Sequence, residues 1–371
     1  MGKTTVRALS GPAVPGSPGY HFLTDRAGLQ EAIAQESPDI IELGSPLLAA
    51  RALRRATLPD RTRVVGYFHS DSRGYYVDHG LRWAPAFVRR AGGSVLAAYL
   101  RSVYGRLDLT ICPSRYAESV LAWAGVENTV VVPHGVDVDV FRPEPIDASA
   151  RSARLTAHEG SGAHSAPHTA RREVVAVYAG RLSREKRLDT VLGALPRLHR
   201  EFGLRLVVVG EGHLRPVIEA YATLHAARCT LHAFIEDRHD LANLYASADF
   251  VFAPCPYETF GLAAVEALAC GTPIVGANKG AISELLRDGA PGAAYDPDDV
   301  NDCVRAVREV MGKRDAARGA SEEARGPGHT DDSYRVQRAA YSKTARAFVE
   351  ERFTLDRSFG TLVEIYRELA K

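Results

Sequence analysis

The sequence predicts an α/β protein built from two Rossmann-like, doubly wound halves. Short β-branched or aromatic runs alternate with longer helical patterns in two separate series, several runs end in glycine, and a polar aperiodic stretch divides the series. At roughly 150 residues per domain, 371 residues suffice for two cores.

In the first series the runs are Asp39 to Glu42, Val64 to Phe68, Leu109 to Cys112 and Val130 to Val132, each followed by turn residues and a helical pattern. Such βαβ repetition builds a parallel sheet. Met1 to Tyr20 holds no convincing strand, so this half is expected to lack the strand, glycine turn and helix that usually open a doubly wound domain. From Pro143 to about Arg172 large apolar residues and periodicity vanish, which predicts a linker or insertion. The second series comprises Val174 to Tyr178, Leu204 to Val209, Thr230 to Phe234, Phe250 to Ala253 and Pro273 to Gly276. Lys313 to about Asp332 reads as a surface loop and Phe348 to Leu369 as helical. The expected domains are therefore residues 1–145, a linker over 146–172, a second domain over 173–350 and a C-terminal helix over 351–371.

Composition excludes several classes. Hydrophobic residues at 46% and charged residues at 25% are ordinary globular usage, unlike a disordered or fibrous chain. With 46 Lys and Arg against 45 Asp and Glu there is no global field to hold nucleic acid, so any anion site is local. The five cysteines are dispersed without a C-x-x-C pair, which argues against a zinc module or disulfide framework and fits a reducing cytosol. A Gly/Pro-rich stretch follows Lys3 and Arg7 in place of an apolar signal core, and Arg82, Arg89 and Arg90 interrupt the most apolar segment, Leu81 to Leu100. A cytoplasmic location, at most touching the inner face of a membrane, is expected. Trp83, Phe87, Val88, Arg89 and Arg90 read as buried core with solvated arginines, with a peripheral membrane surface as the alternative.

The densest chemical signal is FVFAPCPYETFGLAAVEALACG, Phe250 to Gly271, which reads as strand, loop and helix. Thr259, Gly261 and neighbouring N–H groups at a helix start favour an anion such as phosphate. Glu258 and Glu266, eight positions apart, would sit ~12 Å apart on a continuous helix. That exceeds the ~5 to 9.5 Å of a glycoside-hydrolysing pair but suits two sets of hydroxyls on one extended ligand. A solvent-facing Glu266 is the plainer reading, yet its helix is apolar throughout, and a buried carboxylate needs partners.

In VYAGRLSREKR a strand ends at Gly180, and Arg181 and Lys186 follow where an open α/β sheet forms its ligand crevice. Two cations there can hold a diphosphate and stabilise it as a leaving group. The alternative is a solvated basic turn, since Arg184 and Arg187 stand alongside. VVVGEGHL, Val207 to Leu214, offers G-x-G after a strand, but Arg215 occupies the third glycine position, which disfavours a dinucleotide site. There is no G-x-x-x-x-G-K-[ST] loop, and the histidines show no metal-ligand spacing, so no metal and no cofactor are expected. In VVGYFHSD, His69 closes a strand where it can hydrogen-bond a reacting hydroxyl or sugar, although a lone histidine is more often structural.

VPHGVDVDVF at Val132 to Phe141, GRLSREK at Gly180 to Lys186 and ETFGLAAVE at Glu258 to Glu266 resemble family 4 of the retaining glycosyltransferases. The resemblance runs from about Pro38 to the C-terminus. It implies the GT-B fold, two Rossmann-like domains facing a cleft, and a nucleoside diphosphate sugar as donor. Arg181 and Lys186 would hold the diphosphate. Glu258 with the Thr259, Phe260, Gly261 and Leu262 segment would hold the sugar, and Glu266 the ribose. His69 would lie beside the transferred sugar, catalytic together with Glu258. An acceptor hydroxyl, on a lipid or glycan, would attack from the face the nucleotide leaves, keeping the α configuration without a protein nucleophile. SPGYHF, GSP and YFHSD look most like bacterial GDP-mannose-dependent α-mannosyltransferases, with UDP-sugar-dependent glucosyl or sulfoquinovosyl transfer as the alternative. Cys255 replaces the usual serine of the E-x7-E loop, and the family's glycine pair has no counterpart before Tyr20. That second departure keeps a catalytically impaired nucleotide-sugar binder as a further alternative.

Overall fold

The computed structural model describes residues 6, 9–13, 21–44, 46–144, 174–225, 228–311 and 329–371. Residues 145–172 of the polar stretch and most of Met1 to Tyr20 lie outside them. The chain divides into two compact units, one of Met1–Pro133 with Phe359–Lys371, the other of His134–Ser358.

The first unit carries α1 (Arg26–Glu36), β1 (Ile40–Leu43), α2 (Pro46–Leu53), β2 (Arg63–Tyr67), a π-helix at Arg73–His79, α3 (Ala86–Tyr104), β3 (Leu109–Cys112), α4 (Arg115–Trp123) and β4 (Thr129–Val131). The strands pair in parallel in the order β1-β2-β3-β4. Alternation along β2 sends Val64 into a core with Phe68, Leu100, Tyr104 and Leu121, and Val65 to the opposite face with Ile111 and Val132. Leu362, Ile365, Tyr366 and Leu369 of the chain's last helix cover that second face. Their i, i+3, i+4, i+7 spacing is the apolar stripe of an amphipathic helix.

The second unit holds β5 (Val174–Ala179), α5 (Leu188–Phe202), β6 (Leu204–Val209), α6 (Arg215–Leu224), β7 (Cys229–His232), α7 (Arg238–Ser247), β8 (Phe250–Ala253), α8 (Leu262–Ala269), β9 (Ile274–Ala277), α9 (Gly280–Arg287), β10 (Gly292–Tyr295), α10 (Val300–Met311), α11 (His329–Arg352) and α12 (Leu355–Leu369), whose residues from Phe359 belong to the first unit. Its six parallel strands run β10-β9-β8-β5-β6-β7, the doubly wound order that reverses direction between β5 and β8. Val175 and Val177 face one core, and Val174, Ala176 and Tyr178 the other, so both faces of the sheet are covered. Buried Asp249 pins the reversal point, because its carboxylate accepts from the Val175 N–H at 2.8 Å and its own N–H donates to the Val175 carbonyl at 2.8 Å.

The expected strands recur within a residue or two, but several expectations are corrected. β10 reads GAAY, without the β-branched residues that signal a strand. β7 stops at His232, so Phe234 is 67% exposed in the next loop. Residues 329–332, expected in a loop, are helical, while the rest of that loop lies outside the described residues. The helix expected over Phe348 to Leu369 is broken at Phe353 and Thr354, where Val136 donates its N–H to the Phe353 carbonyl at 2.7 Å and bridges Thr354. Trp83 and Phe87, read as core, are instead 87% and 73% exposed. No described helix is long and apolar enough to cross a membrane.

Candidate functional site

The reversal between β5 and β8 brings together two loops that are seventy residues apart in sequence, and ligand sites of open α/β sheets form outside such a reversal. The first loop follows β5. Its backbone is clamped to the turn after β6, with Gly180 donating to the Val209 carbonyl at 3.0 Å and Leu182 to the Glu211 carbonyl at 2.8 Å. A Cβ at Gly210, where φ is +142°, would lie 2.0 Å from the Gly180 oxygen, and one at Gly212 would lie 2.3 Å from the Leu182 oxygen. The G-x-G seen in the sequence therefore serves close approach of two backbones, and supports the Arg181/Lys186 loop without itself reading as a dinucleotide site. Buried Tyr178 fixes the same loop by donating its hydroxyl to the Arg181 carbonyl at 2.8 Å. The sequence singled out the G-x-G but not this role for it, since the role depends on a partner in another segment, and the Tyr178 hydroxyl meets a backbone oxygen that leaves no sequence pattern.

The four basic residues of this loop have different environments. Arg187, thought part of a solvated turn, is buried, adopts φ +52° and pairs with Asp189 at 3.1 Å and with Asp298. Arg181 and Arg184 are exposed. Lys186 reaches across to the second loop, where its Nζ donates to Glu258 Oε2 at 2.7 Å. Burial disfavours the Lys186 charge, but the Glu258 carboxylate, helped by Glu185, outweighs it and raises the lysine pKa.

The second loop follows β8. Cys255 is buried and its thiol donates to the Glu185 carbonyl at 3.4 Å, a second stitch between the loops. Burial pushes that thiol up to about 12, so it stays neutral. The Glu258 carbonyl accepts from the Ala281 N–H at 2.9 Å, which ties its backbone to the start of α9. Thr259 and Phe260 are buried, the Phe260 ring standing edge-on to His134 and Phe353. Gly261 is the N-cap of α8 at φ +89° and provides no side chain to cap it, and Leu262 opens the helix in an exposed position. Residues 258–261 are not helical, so the helical-rise separation of Glu258 and Glu266 does not apply to the pair.

Glu266 is 7% exposed on α8. Its charged neighbour is Arg238, whose Nη2 lies 3.9 Å from Oε1 while the guanidinium covers the Phe141 ring. Burial raises the Glu266 pKa to about 7, with Arg238 opposing the rise. Nothing in the sequence links Arg238 to Glu266, which lies on a different element. The first unit presents His69 two residues beyond β2, its ring stacked 5.1 Å from that of Tyr67. Partial burial lowers the His69 pKa, opposed by the Glu42 carboxylate.

Residues 164–326 match the family described as "Glycosyl transferases group 1", and residues 3–140 match "Glycosyltransferase Family 4". The GDP-mannose-dependent alpha-(1-6)-phosphatidylinositol dimannoside mannosyltransferase of Mycobacterium tuberculosis is 37% identical over 219 residues, covering 58% of this chain and 53% of that protein. The D-inositol 3-phosphate glycosyltransferase of Xylanimonas cellulosilytica is 33% identical over 298 residues, covering 78% and 63%. The chain thus spans between half and two thirds of the length of these curated relatives. Among solved structures, sucrose-phosphate synthase from Thermosynechococcus elongatus aligns with TM-score 0.70 at 20% identity, covering 93% of this chain and 77% of its own. HepE of Anabaena, solved with UDP, aligns with TM-score 0.65 at 17% identity, covering 92% and 82%. The two family matches follow one another along the chain as the two units do, and the chain belongs to the group 1 and family 4 glycosyltransferases, with the GT-B fold.

Proposed function

We propose that this chain is a retaining, metal-independent hexosyltransferase that moves a sugar, mannose favoured, from a nucleoside diphosphate to a hydroxyl of a lipid or glycan acceptor. The observation that carries this reading is the convergence of the two loops at the sheet reversal, where Lys186 and Glu258 meet at 2.7 Å beside the uncapped start of α8. A lysine ammonium has three donors, so one can keep Glu258 while the others bind phosphate oxygens, with exposed Arg181 as a second cation. The positive end of α8 adds N–H donors, and such preorganised charge stabilises the diphosphate as it leaves. Glu258, held through both side chain and backbone, is oriented to accept from donor sugar hydroxyls, and Glu266 from ribose hydroxyls. His69 is assigned a hydrogen bond to the transferred sugar. The acceptor hydroxyl then attacks from the departing side, and no side chain is asked to form a bond to the sugar.

Mannose and a guanine base are favoured by the mycobacterial relative's named donor. UDP-sugars are the second reading, favoured by the UDP-glucose complex of HepE and by the sulfoquinovosyl transferase relative of Arabidopsis thaliana. For a lipid-linked acceptor the exposed Trp83 and Phe87 are well placed on the surface. The stretch 79–107 around them holds five arginines and no acidic residue, a pattern that suits the anionic inner face of a membrane.

Calorimetry with GDP, UDP and ADP tests the site and selects the base. Arg181→Ala with Lys186→Ala should weaken nucleoside diphosphate binding by about 10- to 100-fold while leaving nucleoside binding unchanged. An unaltered preference for diphosphate removes the assignment. Transfer that persists in chelator supports metal independence. Binding without hydrolysis or transfer across a panel of nucleotide sugars turns the reading into a nucleotide-sugar-binding protein.

A further inference from the structure

The C-terminal helix carries a polar group into the first unit. Tyr366 stands within the stripe of Leu362, Ile365 and Leu369 that packs on the β1 to β4 sheet, yet its hydroxyl donates to the Glu42 carboxylate on β1. Tyr366 is also hydrogen-bonded to Tyr67 on β2. A carboxylate can only accept, so the Tyr366 proton lies toward Glu42. Tyr67 packs in the same cluster as Tyr366, and its ring is the one on which His69 stacks, with planes 10° apart. Three residues from β1, β2 and the last helix thus end on the side chain assigned to the transferred sugar.

We propose that Tyr366 and Glu42 are positioning residues that set the orientation of the His69 ring by anchoring Tyr67. The inference rests on the His69 role proposed above, but its geometry is measurable without activity. Hydrophobic packing would hold α12 without any hydroxyl, so a phenol aimed at a carboxylate is there for direction rather than for burial.

The test uses the full chain carrying Tyr366→Phe, Tyr67→Phe and both together. Each keeps its ring and the apolar stripe, and melting temperature reports any loss of packing. The spectroscopic readout is the Hε1 proton of His69, assigned by His69→Gln, whose ring-current displacement reports stacking on Tyr67. The expected result is that either single change reduces that displacement and lowers kcat about 5- to 20-fold with the donor KM unchanged, and that the double variant is no worse than either single one. An unchanged Hε1 position in both single variants, or kcat losses that multiply in the double variant, overturns the proposal. If the displacement falls while His69→Gln transfers sugar at the wild-type rate, the positioning stands and the assigned role of His69 fails.

Discussion

Glu266 is a carboxylate kept from water beside one partly exposed arginine, and its two duties conflict. Its pKa of about 7 in the folded protein lies above the ordinary 4.5, so between those values the folded chain keeps a proton that the unfolded chain has released. Stability without ligand therefore falls as pH rises through that window, by up to about 3 kcal/mol at pH 8. Glu266→Gln should remove this slope and raise the melting temperature at pH 8. Ribose hydroxyls donate to the ionised form, so nucleotide affinity should rise through pH 7 in the wild type and be weak and flat there in Glu266→Gln, as calorimetry at several pH values would read. A pH-independent melting temperature difference between the two proteins contradicts the buried-charge account. The candidate site residues were legible as candidates, because GRLSREK and ETFGLAAVE place cations and carboxylates in loops that follow strands. Arg238 and Tyr178 were not, since a partner 28 residues away, or a hydroxyl bonded to a backbone oxygen, leaves no local pattern.

At the scale of elements, the Arg181/Lys186 loop owes its shape to the turn after β6. Gly210→Ala would put a methyl group 2.0 Å from the Gly180 oxygen, at a φ unfavourable to alanine. It should cost about 2 to 4 kcal/mol and lower diphosphate affinity more than nucleoside affinity. Gly203→Ala is the control for positive φ without a clash, since its φ of +66° lies in the left-handed region and no atom lies within 4 Å. It should cost about 1 kcal/mol and leave the affinity ratio alone. Equal affinity ratios in the two variants would count against the clamp. Strands with β-branched runs were readable from period and length, whereas GAAY at β10 was not, because its strand character comes from pairing with β9 and not from its own side chains. The break at Phe353 and Thr354 was hidden for the same reason, as it follows from bonding to Val136 rather than from a proline or glycine.

For the whole molecule, the last residues are part of the first unit although more than two hundred residues separate them from its last strand. Leu362→Ala with Ile365→Ala uncovers the face of Val65, Ile111 and Val132 and should destabilise the chain by about 2 to 3 kcal/mol, seen as an earlier denaturant midpoint. A midpoint equal to wild type would mean that this helix does not seal the sheet. The exposed Trp83 and Phe87 make a second prediction at this scale. Sedimentation with phosphatidylglycerol vesicles should exceed that with phosphatidylcholine, weaken in salt, and drop several-fold in Trp83→Glu with Phe87→Glu. Equal recovery with both lipids would leave this face without a membrane role.

By itself the sequence determined the two α/β halves, their strands with β-branched runs and the chemistry of the loops, because period, glycine placement and charge are local properties of a chain. Tertiary structure alone decided which loops meet, since strand order is a matter of pairing between distant segments. It also decided which charges are compensated, Lys186 by Glu258 and Arg187 by Asp189 and Asp298, and that the C-terminal helix brings a tyrosine to β1. Such partnerships depend on distances of a few ångströms across the fold, and spacing along the chain carries no record of them.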